Sequence, residues 1–90
     1  MNVARATRVK SFEVYRYNRG RTGIVRTLHH DPFSGRTWLT EIHEKRAAGG
    51  DSLRVETTTE LEDMDFDDRE LYEHRLRHEL AAEQANQPML

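Results

Sequence analysis

The clearest pattern of hydrophobic positions lies in the last third of the chain. Tyr72, Leu76 and Leu80 recur every four residues, with Leu71 beside them, which predicts a helix over residues 67–84 with a narrow apolar stripe. Because one narrow stripe cannot bury a helix by itself, another part of the chain or another chain must cover it. We therefore expect the rest of the fold to be organised around this helix.

The start of the helix is predicted at Asp67. An aspartate side chain before the first turn accepts hydrogen bonds from backbone N–H groups, and Glu70 stands three residues on, as in a capping box. Phe66 is placed to pack against Leu71 as a hydrophobic staple. Together these signals predict an N-cap at Asp67.

The first half of the chain alternates with a period of two, as β-strands do. Residues 9–17 read VKSFEVYRY, a run that is rich in β-branched and aromatic residues. The alternation predicts a strand with Phe12 and Val14 on one face and with Tyr15 and Tyr17 on the other.

Turn-forming residues divide the segments that follow. Residues 18–23 contain glycines and an asparagine and predict a turn, after which residues 23–30 alternate again as the second strand of a hairpin. The sequence DPFSG at residues 31–35 is the clearest turn, since proline presets φ and glycine permits a positive φ. Residues 52–61 alternate leucine, valine and threonine with mostly charged residues and predict a half-buried antiparallel strand.

Residues 36–46 admit two interpretations. As a strand, the segment places Trp38, Thr40 and Ile42 on one face, and the following AAGGDS sequence becomes a hairpin loop. As a helix, it forms a short stripe from Trp38, Leu39 and Ile42. The threonines and the tryptophan favour the strand.

The preferred fold is therefore α+β: a four-stranded antiparallel β-meander followed by one C-terminal α-helix. The alternative is a β-grasp-like ββαβα arrangement, in which residues 36–46 are helical. Because the chain has 90 residues, we expect one small domain over residues 1–90, with flexible ends at residues 1–7 and 86–90.

Composition limits the size of the core. Hydrophobic residues make up 36% of the chain and charged residues 33%, so we expect a small core and a two-fold homodimer that buries more apolar surface. The absence of cysteine excludes disulfides and thiolate metal sites. No run approaches the roughly 18 apolar residues of a membrane span. We expect a cytoplasmic protein without a membrane partner.

Charge is divided unevenly along the chain. Residues 1–50 contain ten Lys or Arg and four Asp or Glu, whereas residues 51–90 contain four and twelve, although the net charge is only -2. This division favours internal pairing, head-to-tail association or a basic surface offered to an anionic partner.

No motif points to catalysis. The consecutive histidines His29 and His30 would point to opposite faces of a strand, and His74 and His78 share a helix face but lack an identifiable third ligand. The glycines lack the strand–loop–helix context of a phosphate loop, and no serine has a nucleophile motif. We therefore expect no enzymatic activity, no metal and no cofactor.

Aromatic and arginine side chains, which protein interfaces favour, are concentrated around the first hairpin. The candidate binding residues are Tyr15, Arg16, Tyr17, Arg19, Arg21, Arg26 and Trp38. The preferred function is a non-enzymatic protein-binding module that acts through a basic, aromatic-containing face of the sheet as an adaptor, accessory subunit, regulator or inhibitor. Phages and mobile elements carry inhibitors of this size without catalytic residues. The alternative is a nucleic-acid-binding protein, whose arginines contact phosphates and whose aromatic rings stack on bases.

The run VKSFEVYRYN at residues 9–18 resembles the opening strand of the iron–sulfur subunit of succinate dehydrogenases. Residues 38–55 loosely resemble the helix and strand that follow there. This resemblance implies a β-grasp fold of the ferredoxin type. The cluster-binding cysteines of that family have no counterpart in this chain, so no iron–sulfur cluster is implied.

Overall fold

The computed structural model describes residues 9–85 and shows one sheet followed by one long helix. The elements are β1 (Lys10–Arg19), β2 (Thr22–His30), β3 (Thr37–Arg46), β4 (Ser52–Glu60), a 3-10 turn (Leu61–Asp63) and α1 (Phe66–Ala85). The strands are antiparallel neighbours in the order β1-β2-β3-β4, which confirms the predicted α+β meander. The predicted flexible ends, residues 1–7 and 86–90, lie outside the described residues.

The β-grasp-like alternative is wrong, because the ambiguous segment is strand β3 and not a helix. Each residue of β3 from Trp38 to Lys45 has a partner on β2 and another on β4. The segment therefore occupies a central position, where its threonines and its tryptophan pack against cross-strand neighbours.

The first hairpin is tighter than the sequence pattern predicted. Arg19 pairs with Thr22, so the connection consists of Gly20 and Arg21 alone. Gly20 adopts φ 59°, a left-handed value that glycine reaches without steric cost and that the first position of a type II′ turn requires.

The predicted turn at residues 31–35 is confirmed. The backbone N of Gly35 donates to the carbonyl O of Asp31 at 2.8 Å, and the Asp31 side chain accepts from the backbone N of Phe33 at 2.9 Å. This bond and a second one from the Ser34 hydroxyl lower the pKa of Asp31. The turn brings β3 back beside β2 in register.

Strand β1 contains a β-bulge that the sequence pattern conceals. The register of β1 against β2 shifts between Glu13 and Tyr15, so Val14 is an extra residue without a cross-strand partner. Because the bulge interrupts the alternation, Tyr15 and Tyr17 fall on the same face as Phe12. The prediction that these tyrosines lie opposite Phe12 is wrong for this reason.

Cross-strand pairing defines two faces of the sheet. The face that packs against α1, here called the helix face, carries Phe12, Tyr15, Tyr17, Arg19, Ile24, Arg26, Leu28, Leu39, Glu41, His43, Leu53 and Val55. The other face, here called the open face, carries Ser11, Glu13, Arg16, Val25, Thr27, His29, Trp38, Thr40, Ile42, Glu44, Arg46, Arg54, Glu56 and Glu60. Within the described residues, no helix or strand covers the open face.

The core lies where α1 crosses the helix face. The buried hydrophobic side chains are Leu28, Leu39 and Tyr72. Five partly buried hydrophobic side chains pack against them: Phe12, Val14, Leu61, Met64 and Leu76. The predicted helical stripe therefore contacts the sheet through Tyr72 and Leu76, whereas Leu71 remains 55% exposed.

The helix covers only part of the helix face. Towards the tip of the first hairpin, Tyr15 and Val55 remain 42% and 49% exposed. The radius of gyration is 16.3 Å, whereas a compact chain of this length has about 12 Å. Much apolar surface of the sheet therefore lies beyond the reach of α1.

The N-cap lies two residues earlier than predicted, and the helix begins at Phe66. Its N-cap is Asp65, whose side chain accepts a hydrogen bond at 2.9 Å from the backbone N three residues on. Asp67 lies in the first turn, so the predicted cap at Asp67 and the capping box with Glu70 are wrong. The predicted staple is also wrong, because Phe66 and Leu71 are 69% and 55% exposed.

Candidate binding surface

The seven candidate binding residues do not share one surface. The helix face carries Tyr15, Tyr17, Arg19 and Arg26, the open face carries Arg16 and Trp38, and Arg21 lies in the β1–β2 turn. The bulge at Val14 causes part of this separation, because it moves both tyrosines away from the face of Trp38. A single basic and aromatic face is therefore not formed.

Arg26 is held by partners within the chain. Its guanidinium lies 4.9 Å from the centroid of the Tyr15 ring and forms an ion pair with Glu41. The hydrogen bond from Arg26 is the main reason that the pKa of Glu41 is lowered, and a bond from His43 adds to it. The charge of Arg26 is thus compensated on the helix face itself.

Arg16 is compensated in the same way on the open face. Its Nη2 donates to Oε1 of Glu13 at 2.7 Å, and its Nε donates to the same carboxylate at 3.1 Å. This hydrogen bonding lowers the pKa of Glu13 and raises that of Arg16. The pair is exposed, so it sets the local charge pattern more than it stabilises the fold.

Cross-strand pairs build the centre of the open face. This central patch consists of Val25, Thr27, His29, Trp38, Thr40 and Ile42, all of them partly buried. Val25 pairs with Ile42, and the rings of His29 and Trp38 stack with their centroids 5.2 Å apart and their planes at 17°. The patch therefore combines aliphatic and aromatic surface at the middle of the face that no described helix or strand covers.

Hydrogen bonds to two hydroxyl groups fix the orientation of the His29 ring. Its Nδ1 lies 2.7 Å from the Ser11 hydroxyl, and its Nε2 lies 2.8 Å from the Thr40 hydroxyl. Burial lowers the pKa of His29, so the neutral ring is favoured. Both partners of the ring are hydroxyl groups, so no carboxylate is present to stabilise an imidazolium, as it would be in a nucleophilic triad. The two hydrogen bonds therefore orient the ring.

Arg36 contacts Trp38 from the end of the patch. Its guanidinium carbon lies 4.1 Å from the centroid of the indole ring. The same guanidinium binds Glu60 through two hydrogen bonds of 2.6 and 2.9 Å, which lower the pKa of Glu60. The indole is thus fixed by both His29 and Arg36.

The rim of the open face carries equal numbers of positive and negative side chains. The positive side chains are Arg16, Arg36, Arg46 and Arg54, and the negative ones are Glu13, Glu44, Glu56 and Glu60. An apolar centre surrounded by a polar rim is the usual anatomy of a protein interface. Because the charges balance, this face does not repel another protein surface of either sign.

Sequence reasoning found Trp38 but missed the residues that hold it. Arg36 could have been found, since residues two apart on a strand share a face and Arg36 precedes Trp38 by that spacing. His29 and its partners Ser11 and Thr40 could not, because they come from three strands whose register the sequence leaves open.

The clefts of the molecule are charged and open to solvent. One cleft of about 460 Å³ lies between the β2–β3 turn and α1, and its charged lining residues are Arg36, Glu60, Glu62, Arg69 and Glu73. Such walls differ from the mainly apolar walls of small-molecule sites. Among residues 9–85, no three His, Cys, Asp or Glu side chains are grouped so that they could hold a metal ion.

Comparison with known proteins adds no assignment: no family model, curated protein or solved structure matches the chain. In the part of the chain that the structure describes, no helix is both long and apolar enough to cross a membrane.

Proposed function

We propose that this protein is a non-enzymatic binding module that docks another protein on its open face. It would act as an adaptor, accessory subunit, regulator or inhibitor, of the kind that phages and mobile elements carry. The absence of cysteine suits a reducing compartment such as the cytoplasm. The observation that carries the proposal is the central patch, which no helix or strand of residues 9–85 covers, with its rim of balanced charges.

The ordered side chains of the patch support this role. Trp38 contacts both His29 and Arg36, so docking would cost little additional side-chain entropy. Tryptophan and arginine are also the residue types that most often dominate binding energy at interfaces. Trp38 is therefore the expected anchor.

Nucleic acid is the competing partner, and the tip of the first hairpin is the surface that favours it. Arg19 and Arg21 lie at this tip. Arg46 lies beside them, because its backbone N–H donates to the carbonyl O of Arg21 at 2.9 Å. Arg16 and Arg26, by contrast, are each paired with a glutamate within the chain. A polyanion would thus meet a small basic tip on a chain whose net charge is -2.

Affinity capture from the source cell tests the proposal, with tagged wild type compared with Ile42→Lys. We expect the wild type to retain a protein partner after nuclease treatment and Ile42→Lys to lose it, because a charge would be placed in the patch. Val55→Lys is the matched control, since Val55 is an aliphatic residue on the helix face. Equal urea midpoints for the variants would show that neither is unfolded.

Two results would overturn the proposal. Partner capture that Ile42→Lys leaves unchanged would remove the open face from consideration. Capture that nuclease treatment and Arg21→Glu both abolish would replace protein by nucleic acid as the partner.

A further inference from the structure

We infer that one occupant of the open face is a second copy of this chain, related by a two-fold axis that runs parallel to the strands between β2 and β3. The inference rests on the proposed function, because it uses the same docking surface. It adds the identity of the partner and the residue pairs across the interface.

The register places the open-face residues in rows across the four strands. One row reads Arg16, Val25, Ile42, Glu56, and the row beside it reads Glu13, Thr27, Thr40, Thr58. A two-fold axis parallel to the strands places each row over the same row of the partner, with the order of the four strands reversed. Strand β1 then faces the partner's β4, and β2 faces the partner's β3.

In this arrangement like chemistry meets like chemistry at the centre. Val25 faces the partner's Ile42, and Thr27 faces the partner's Thr40. In the next row, His29 faces the partner's Trp38. Aliphatic, hydroxyl and aromatic side chains would therefore each meet their own kind, as in aligned packing of two sheets.

Opposite charges meet at the edges. Arg16 faces the partner's Glu56, and two-fold symmetry forms this contact twice. The Glu13 carboxylate accepts from Nε and Nη2 of Arg16, and a guanidinium has five N–H donors, so donors remain for a second carboxylate. Arginine and glutamate side chains are also long enough to follow the roughly 30° angle between aligned sheets.

The other two-fold arrangement of the same faces is less complementary. An axis perpendicular to the strands lays each strand on its own copy with the rows reversed. With this axis at the middle row of the patch, the row of Val25 and Ile42 lies over the row of His29 and Trp38. Glu56 would then face the partner's Glu60, and Arg16 would face the partner's Ser11, so the opposite charges would no longer meet. The parallel axis is therefore favoured.

The available area suits a reversible dimer. Strands of nine or ten residues rising ~3.3 Å per residue and spaced ~4.8 Å apart give each copy ~600 Å². The total of ~1,200 Å² is the lower limit of specific stable interfaces. A dissociation constant in the micromolar range is the expectation.

Sedimentation equilibrium of the wild type and of two charge reversals tests the inference. We expect wild type to be dimeric at tens of micromolar, and Arg16→Glu and Glu56→Arg each to raise the dissociation constant by about tenfold or more, since each makes two like-charge contacts. An equimolar mixture of the two variants should recover the dimer, because both contacts then join opposite charges. Arg19→Glu makes the same change on the helix face and should leave the dimer unchanged.

Three results would overturn the inference. A wild-type mass of one chain up to about 100 µM would exclude the second copy, while the open face could still dock a different protein, as the capture experiment determines. Dimers that survive both reversals, or a mixture that stays monomeric, would exclude this arrangement.

Fluorescence of Trp38, the single tryptophan, gives a second readout, because dilution of the wild type should shift its emission to the red.

Discussion

The two faces of the sheet carry the same kind of aliphatic pair but leave it in different surroundings. On the helix face, Leu28 pairs with Leu39 beneath Tyr72, and all three side chains are buried. On the open face, Val25 pairs with Ile42 and both remain partly exposed. Pairing across strands therefore does not decide whether a side chain is buried in the fold or left partly exposed to solvent. What covers the pair decides it.

This difference assigns a role to each face. Burying a leucine or valine side chain contributes about 1.5–3 kcal/mol relative to exposure, so the covered face supplies most of the folding stability. The surface left on the open face is available for association, where the same hydrophobic effect acts between molecules.

Leu28→Ala is expected to have the largest effect. Leu28 is 0% exposed, and removing a buried leucine side chain costs about 2–5 kcal/mol because it leaves a cavity. Ile42→Ala on the open face should cost about 1 kcal/mol or less in the monomer, because solvent already reaches this side chain. Urea unfolding at submicromolar protein concentration measures both. Equal losses would mean that the two faces are covered to the same extent.

Asp65→Ala should reduce stability by about 1 kcal/mol through loss of the N-cap bond. It weakens an element that distinguishes the two faces, since α1 packs on the helix face and no helix or strand of residues 9–85 packs on the open face. Asp67→Ala is the control, and we expect a smaller effect because Asp67 lies inside the first turn. Thermal or urea midpoints measure the difference, and a larger loss for Asp67→Ala would place the cap where the sequence predicted it.

Glu41→Gln is expected to cost about 0.5 kcal/mol near pH 7, since it removes a partly exposed ion pair with Arg26. The folded protein lowers the pKa of Glu41 below its ordinary 4.5. The contribution is therefore present above pH 4.5 and is lost as the pH falls through the lowered pKa. Wild type and Glu41→Gln should converge in urea midpoint at acidic pH. A constant difference from pH 7 to pH 3 would contradict this role of the carboxylate.

Local patterns of the sequence were sufficient for the order of elements. The alternation of residues 52–61 and the four-residue spacing of Tyr72 and Leu76 follow from backbone geometry, so both elements were predicted. The N-cap was misplaced because Asp65, Asp67 and Asp68 are all suitable caps by residue type. Only the packing of the linker decides among them.

The surface was harder to predict than the fold, because it depends on register. Arg16 and Trp38 were predicted for binding, and the central patch includes Trp38 beside Ile42 and His29. The sequence could not place Tyr15 on the opposite face, since no residue type announces a bulge at a particular valine. Long-range pairing, and not local propensity, determined this part of the molecule.

The bulge at Val14 has a consequence for how such a protein can evolve. Loss of the Val14 codon would restore regular alternation and leave Tyr15, Arg16 and Tyr17 on their present faces, because Glu13 and Tyr15 already pair with the consecutive residues Thr27 and Arg26. The side chain lost would be Val14, which packs partly buried against the core. A length change of one residue at this position of an edge strand therefore leaves both faces of the sheet with the same residues.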